Sequence, residues 1–256
     1  MRQRLIQRIH MVVRMVWIAA GLAFLGWQAW SFQAQGYDFA QRYQSPTILI
    51  SEDDAAFDVM PIAESQSTGL IFYPGGMVDP RAYLPMAHAL ARRSYPVIIV
   101  KLPYRSAWTA AQEAAVHDYV RGRISDSIIE RWAVGGHSRG AALATHFAHQ
   151  YPTSVAALIL VGTTHPKEAA WSLATRKLPV TKIYGTADGI ADAETILANR
   201  DLLPADAAFL PIEGGNHSQF GYYGSQLGDG RATISREEQQ AQLIALIGDV
   251  LAGLQE

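Results

Sequence analysis

Gly136-His137-Ser138-Arg139-Gly140 is a Gly-x-Ser-x-Gly pentapeptide set between an apolar run, Trp132-Ala133-Val134, and a helix-like stretch, Ala141 to His149. A strand that ends in such a pentapeptide and turns sharply into a helix presents its serine hydroxyl at the helix N-terminus, with glycines where the backbone has no room for bulk. The chemistry on offer is nucleophilic attack on an acyl carbon. The pattern is short and recurs by chance, so the residues around it must carry the argument.

A serine hydroxyl is a poor nucleophile until a base takes its proton, and the base is best held by a third group that fixes its tautomer and steadies its positive charge. Four histidines follow Ser138: His146, His149, His165 and His217. The first two lie on the helix leaving the pentapeptide and cannot curl back onto Ser138. His165 precedes every suitable acid. His217, in Gly214-Gly215-Asn216-His217-Ser218, follows the last candidate strand, where a loop can hold it over the serine. For the acid, Asp188 follows a strand that runs into a small-residue turn, Lys182 to Ala187, and is the first choice. Asp192 is the second; with Asp201 and Asp206 it falls within or at the end of a helix-like stretch, where a carboxylate usually faces water. The chain order Ser, acid, His is the usual one for a nucleophile on such a strand-to-helix turn.

Acyl transfer also needs backbone N–H groups aimed at the oxygen that becomes negative. One should come from Arg139, directly after the serine. The other should come from the loop after the third strand, Phe72-Tyr73-Pro74-Gly75-Gly76-Met77, with Gly76 as the donor and Met77 as the alternative. None of this chemistry requires a metal or an organic cofactor.

These residues have to be positioned by an α/β architecture, a mostly parallel sheet with helices on both faces, because apolar β-rich segments alternate with helical ones. Eight strands are expected, at 47–50, 57–61, 69–73, 97–102, 132–135, 155–162, 180–185 and 207–212. Helices are expected at 81–93, 109–121, 141–149, 191–202 and 236–254. The last of these opens on Ser235 and Glu238 at capping-box spacing. The pentapeptide falls at the carboxyl end of the fifth strand, the edge at which open α/β sheets bind ligands.

Taken together, Gly136 to Gly140, Asp188, His217 and the Tyr73 to Met77 loop resemble the α/β-hydrolase fold over about residues 69–254. More narrowly, Ile212 to Gly221 and Thr233 to Gln239 are similar to a group of bacterial membrane-anchored or secreted α/β-hydrolases of unassigned substrate. The resemblance implies serine-hydrolase chemistry on a small-molecule acyl substrate and an extracytoplasmic domain. Thioesterase, acyltransferase and peptidase activities would use the same residues, and a catalytically silent binding protein on this fold is the reading from another class. Two features depart from the pattern. Arg139 stands where relatives often carry an apolar residue, and pairing of its side chain with a neighbouring carboxylate is favoured over contact with an acidic substrate. Only about seventeen residues, Thr163 to Pro179, separate the sixth and seventh strands, so the lid is minimal and the site open.

Composition sets the remaining bounds. The chain has 256 residues, 49% hydrophobic and 17% charged, with a formal charge of −2. Arg2, Arg4, Arg8 and Arg14 precede any acidic residue, and beyond residue 37 the balance is −6, which argues against a nucleic-acid surface. Between Arg14 and Asp38 no residue is charged, and Met15 to Trp30 is almost wholly apolar. The expected organisation is a basic cytoplasmic N-terminus at 1–14, a transmembrane anchor at 15–34, a linker at 35–46 and the hydrolase domain at 47–256. Trp17, Trp27 and Trp30 read as interfacial aromatics, and the arginines keep the N-terminus in the cytoplasm. A signal peptide cleaved after Ala29-Trp30-Ser31, releasing a secreted domain, is the alternative. There is no cysteine, hence no disulfide and no lipoprotein anchor.

Overall fold

The structure is a computed structural model that describes residues 2–38 and 45–255. All eight expected strands are present: β1 Ile48–Glu52, β2 Ala56–Pro61, β3 Thr68–Tyr73, β4 Val97–Val100, β5 Arg131–His137, β6 Ala157–Val161, β7 Val180–Gly185 and β8 Ala208–Ile212. They form one sheet in the order β1-β2-β4-β3-β5-β6-β7-β8. The pairs β1/β2 and β2/β4 are antiparallel, and every other pair is parallel. The central strands β4 and β6 are apolar and buried along their whole length because both faces of the sheet are covered there.

Alternation along β3 shows how the two faces are built. Leu70 and Phe72 join a core that takes in Leu84, Met86 and Leu90 of α2 (Leu84–Ala91) and Leu243, Ile247 and Leu251 of α6 (Arg236–Gly253). Ile71 and Tyr73 join the opposite core with Val116 and Val120 of α3 (Ala110–Ser125) and Leu143 and Phe147 of α4 (Arg139–Gln150). The short α5 (Ala193–Ala198) opens on Asp192, whose carboxylate accepts the N–H of Thr195 at 2.8 Å. The capping box at the start of α6 forms as expected between Ser235 and Glu238. Between β6 and β7 the only helical element is one short 3-10 turn, Ala169–Trp171, so this connection contributes no lid helix.

The N-terminal segment departs from its expected boundaries. Helix α1 runs from Arg2 to Ser31, 30 residues or about 45 Å. The arginines belong to the helix, because Arg, Gln and Leu are good helix formers and nothing between residues 2 and 20 breaks the run. Gln3–Ser31 is long and apolar enough to cross a bilayer, and its most apolar stretch is uncovered by the rest of the protein. Nor does the helix extend to residue 34. After Ser31 the chain leaves the helix and docks on the domain: Ala34 bridges Tyr223, and the Gln35 N–H donates to the Tyr222 carbonyl at 2.8 Å. Residues 39–44 of the expected linker lie outside the described residues.

Candidate active site

At the end of β5 the chain turns into α4 within one residue. Ser138 has φ 53° and ψ −117°, a region costing an L residue about 1–3 kcal/mol, and its N–H donates to the Val161 carbonyl at 2.9 Å. The flanking glycines are required by space. A Cβ on Gly136 would stand 2.5 Å from the backbone carbon of Gly140, and one on Gly140 would overlap the carbonyl oxygens of Tyr73 and Pro74. The serine is thereby held at the first turn of α4, beside the loop that follows β3.

That loop carries Gly76 and its alternative Met77, whose N–H groups have different surroundings. The Met77 N–H already donates to the Arg105 carbonyl at 2.7 Å, and the Gly75 N–H to the Tyr83 hydroxyl at 3.0 Å. The Gly76 N–H has no acceptor among the described residues, and the Cβ position of Gly76 is 3.2 Å from that of Arg139. The Arg139 N–H, at the first position of α4, has no intrahelical acceptor. Two free N–H groups thus sit on adjacent segments beside Ser138. The Arg139 side chain turns away into structural contacts, donating to the Ala107 carbonyl at 2.9 Å and pairing with Glu113 at 3.4 Å. Glu113 also bonds His146 at 2.6 Å; burial alone would raise its pKa, but His146 and the nearby cations outweigh that and hold it low.

Asp188 and His217 meet in the loops after β7 and β8. The Asp188 Oδ2 and His217 Nδ1 are 2.8 Å apart, and both side chains are almost wholly buried. An ionised carboxylate only accepts, so this bond places the imidazole proton on Nδ1 and leaves the Nε2 lone pair free. Nε2 is buried with no hydrogen-bond partner among the described residues, and Ser138 and His217 line the same cavity of about 280 Å³. Asp188 is fixed in turn by its own loop, its Oδ1 accepting the N–H groups of Ile190 and Ala191 at 2.8 and 2.7 Å. Asp192 is at a helix cap instead.

Several residues here escaped the sequence reading. Asp229 accepts the His217 N–H at 3.1 Å and both the N–H and hydroxyl of Ser218, at 2.8 and 2.6 Å. Gln239 of α6, fully buried, clamps Asn216 from the other side, accepting its N–H at 3.0 Å and donating to its carbonyl at 2.7 Å. His217 therefore sits on a loop gripped at both flanks. The only prior signal for Asp229 was its place between two glycines. Trp108 is exposed and lines the cavity, as do Phe32 and the buried Tyr223. Trp171 packs elsewhere, stacked on His146 with ring centroids 3.8 Å apart.

His137 also lies in this layer, its ring centroid 4.5 Å from that of His217. The Tyr83 oxygen accepts the Gly75 N–H and hydrogen-bonds His137 Nδ1 at 2.8 Å. Burial first, and the neighbouring His217 second, hold the His137 pKa well below the ordinary histidine range. A neutral ring at this point leaves room for positive charge on His217. The same shift has a sign for stability: below about pH 6.5 the unfolded chain takes up a proton that folded His137 refuses. Its contribution is whole above that pH and is lost as the pH falls toward the lowered folded value, by about 1.4 kcal/mol per unit within the window. His117 and His165, lowered chiefly by burial, act in the same direction. Urea unfolding at pH 7 and pH 5 should show the protein less stable at pH 5, with a shallower dependence in His137→Asn; an unchanged dependence in that variant would contradict the assignment.

A family model described as the alpha/beta hydrolase family matches residues 69–241. No curated protein matches the chain. Among solved structures, a predicted CIB-like hydrolase from Thermoplasma acidophilum superposes with a TM-score of 0.61 at 11% identity, covering 79% of this chain and 99% of that one. Est1E from Butyrivibrio proteoclasticus gives 0.59 at 12% identity, covering 80% and 99%. A membrane phospholipase A described as a bacterial virulence factor gives 0.54 at 14% identity, covering 97% and 99%. At these identities the likeness is one of fold.

Proposed function

The chain belongs to the α/β-hydrolase family, and from that premise we propose that it is a serine hydrolase cleaving a carboxylic ester or related acyl bond through an acyl-enzyme. The observation that carries the reading is the buried Asp188–His217 pair, its Nε2 without a partner among the described residues, with His217 and Ser138 lining one cavity. Ser138 Oγ attacks the acyl carbon while His217 Nε2 takes its proton, and Asp188 holds the ring and balances its charge. The negative oxygen that results is received by the N–H groups of Gly76 and Arg139. His217 then gives the proton to the leaving alcohol as the C–O bond breaks. Water, deprotonated by His217, attacks the acyl-serine, releases the carboxylic acid and restores the hydroxyl.

In the same reading α1 is a retained anchor, with Arg2, Arg4, Arg8 and Arg14 on the cytoplasmic side and the catalytic domain on the other. Retention is supported by the junction. Ser31 is buried, its carbonyl accepts the Gly224 N–H at 2.6 Å and its hydroxyl bonds the Ser225 carbonyl. Cleavage after Ser31 would remove these contacts and leave an ammonium on Phe32 beside the site.

A panel of soluble acyl esters, thioesters and amides tests the activity. Turnover is expected with short p-nitrophenyl esters, because the edge is open. Inertness across the whole panel would favour a silent binding protein on this fold.

A further inference from the structure

The end of the apolar helix is part of the site. Phe32, the first residue after α1, lines the cavity with Ser138 and His217, and its ring stacks on Tyr223 with centroids 6.4 Å apart. Its carbonyl accepts the Asp79 N–H at 2.8 Å, and the Gln33 side chain accepts from Arg105 at 3.0 Å. Asp79 and Arg105 lie at the ends of the loops that carry Gly76 and Trp108, so the helix end is fixed to the walls of the cavity.

This junction sets the depth of the site. Trp30 is exposed at the end of the apolar run, the position at which tryptophan marks a membrane interface. Two residues of chain span at most about 7 Å, and the headgroup layer on each side of a bilayer is about 5–7 Å thick. A cavity walled by Phe32 therefore opens at headgroup level. Its rim is suited to that place. Met77 and Trp108 line the mouth at 43% and 66% exposure, Tyr104 adjoins the Arg105 carbonyl that holds Met77, and Leu227 adjoins the cavity-lining Gln226. Tyr104 and Leu227 are 79% and 62% exposed. Exposed apolar side chains at one opening, with two more next in sequence to its walls, signify contact with a partner or a membrane, and the helix joined to that opening selects the membrane.

We infer that the substrate is an ester-linked lipid of the bilayer that holds α1, presented to Ser138 directly from the interface, with Phe32 in the wall that receives its acyl chain. This rests on the serine-hydrolase reading above. The cavity, about 280 Å³, is at the small end for ligand pockets. It has room for an ester group and the start of a chain, while the remaining hydrocarbon stays in the bilayer. Water supplies hydroxyl to the acyl carbon and hydrogen to the leaving oxygen, so the products are a fatty acid and the lipid shortened by one chain.

The test uses the full chain in vesicles of phosphatidylethanolamine and phosphatidylglycerol. Fatty acid should be released from the vesicle that contains the protein at least about tenfold faster than from labelled, protein-free vesicles in the same tube, and Ser138→Ala should abolish it. Because the chain has no cysteine, an environment-sensitive fluorophore can be placed singly at Leu227→Cys or at Ile128→Cys, which is exposed before β5 at the end of that strand away from Ser138. The Leu227 probe should be blue-shifted and quenched by brominated lipid, and the Ile128 probe should remain in water. Turnover of p-nitrophenyl butyrate with the surrounding lipid left intact, equal release from both vesicle populations, or equal water exposure of the two probes would overturn the inference and leave the serine-hydrolase reading standing. Undiminished p-nitrophenyl butyrate turnover by Ser138→Ala would overturn that reading, and this one with it.

Discussion

Ser138→Ala is expected to lower kcat for a soluble acyl ester by about 10⁴-fold or more with little change in KM. The substitution removes the only atom assigned to form the covalent bond and leaves the Asp188–His217 bond and the Gly76 and Arg139 N–H groups in place. Loss of one oxyanion donor costs about 10²–10³-fold, so an effect of that smaller size would mean that Ser138 merely positions substrate. A nucleophile and its base act as a unit. The double variant Ser138→Ala/His217→Ala should therefore be hardly slower than either single one, and multiplicative losses would count against the pairing. The alanine also relieves no clash, since the left-handed backbone at 138 is imposed by the Gly136 and Gly140 contacts, so thermal stability should change little.

Asp188→Asn should cost about 10⁴-fold in kcat at neutral pH while the fold survives. An asparagine oxygen can still accept from Ile190 and Ala191, as the carboxylate does. The amide NH₂ would then face His217 Nδ1, push the ring proton to Nε2 and leave Ser138 without a base. Asp192→Asn is the matched control: its carboxylate caps α5, and asparagine caps a helix about as well as aspartate. Its activity should stay within a few-fold of the parent. A loss of less than tenfold at 188, or a large loss at 192, would move the acid to the other residue.

The sheet was legible because its strands are apolar segments of the right length separated by turn-forming residues, and runs such as Leu70 to Tyr73 have no other use. That Ser138, Asp188 and His217 share one edge was legible for a related reason: each follows a strand, and parallel strands bring their carboxyl ends together. Choosing Gly76 over Met77 depended on a hydrogen bond from Met77 to Arg105, a meeting of two loops that no periodicity announces. Asp229, Gln239 and the Tyr83–His137 contact were hidden for the same reason. At the N-terminus, hydropathy marked where the chain is apolar, whereas the helix extends as far as backbone propensity allows, so Arg2 to Arg14 were assigned to a separate segment. The same reliance on hydropathy hid Phe32, which an anchor drawn over 15–34 places in its last turn.

The central claim is that Ser138 becomes acylated, and covalent labelling tests it most directly. The full chain is treated with a fluorophosphonate, digested, and its adduct located by mass spectrometry, with parallel samples of Ser138→Ala and His217→Ala. One adduct is expected, on the Ser138 hydroxyl, absent from the first variant and formed far more slowly in the second. Labelling of a different serine, or an esterase that turns over while Ser138 stays unmodified, would contradict the account.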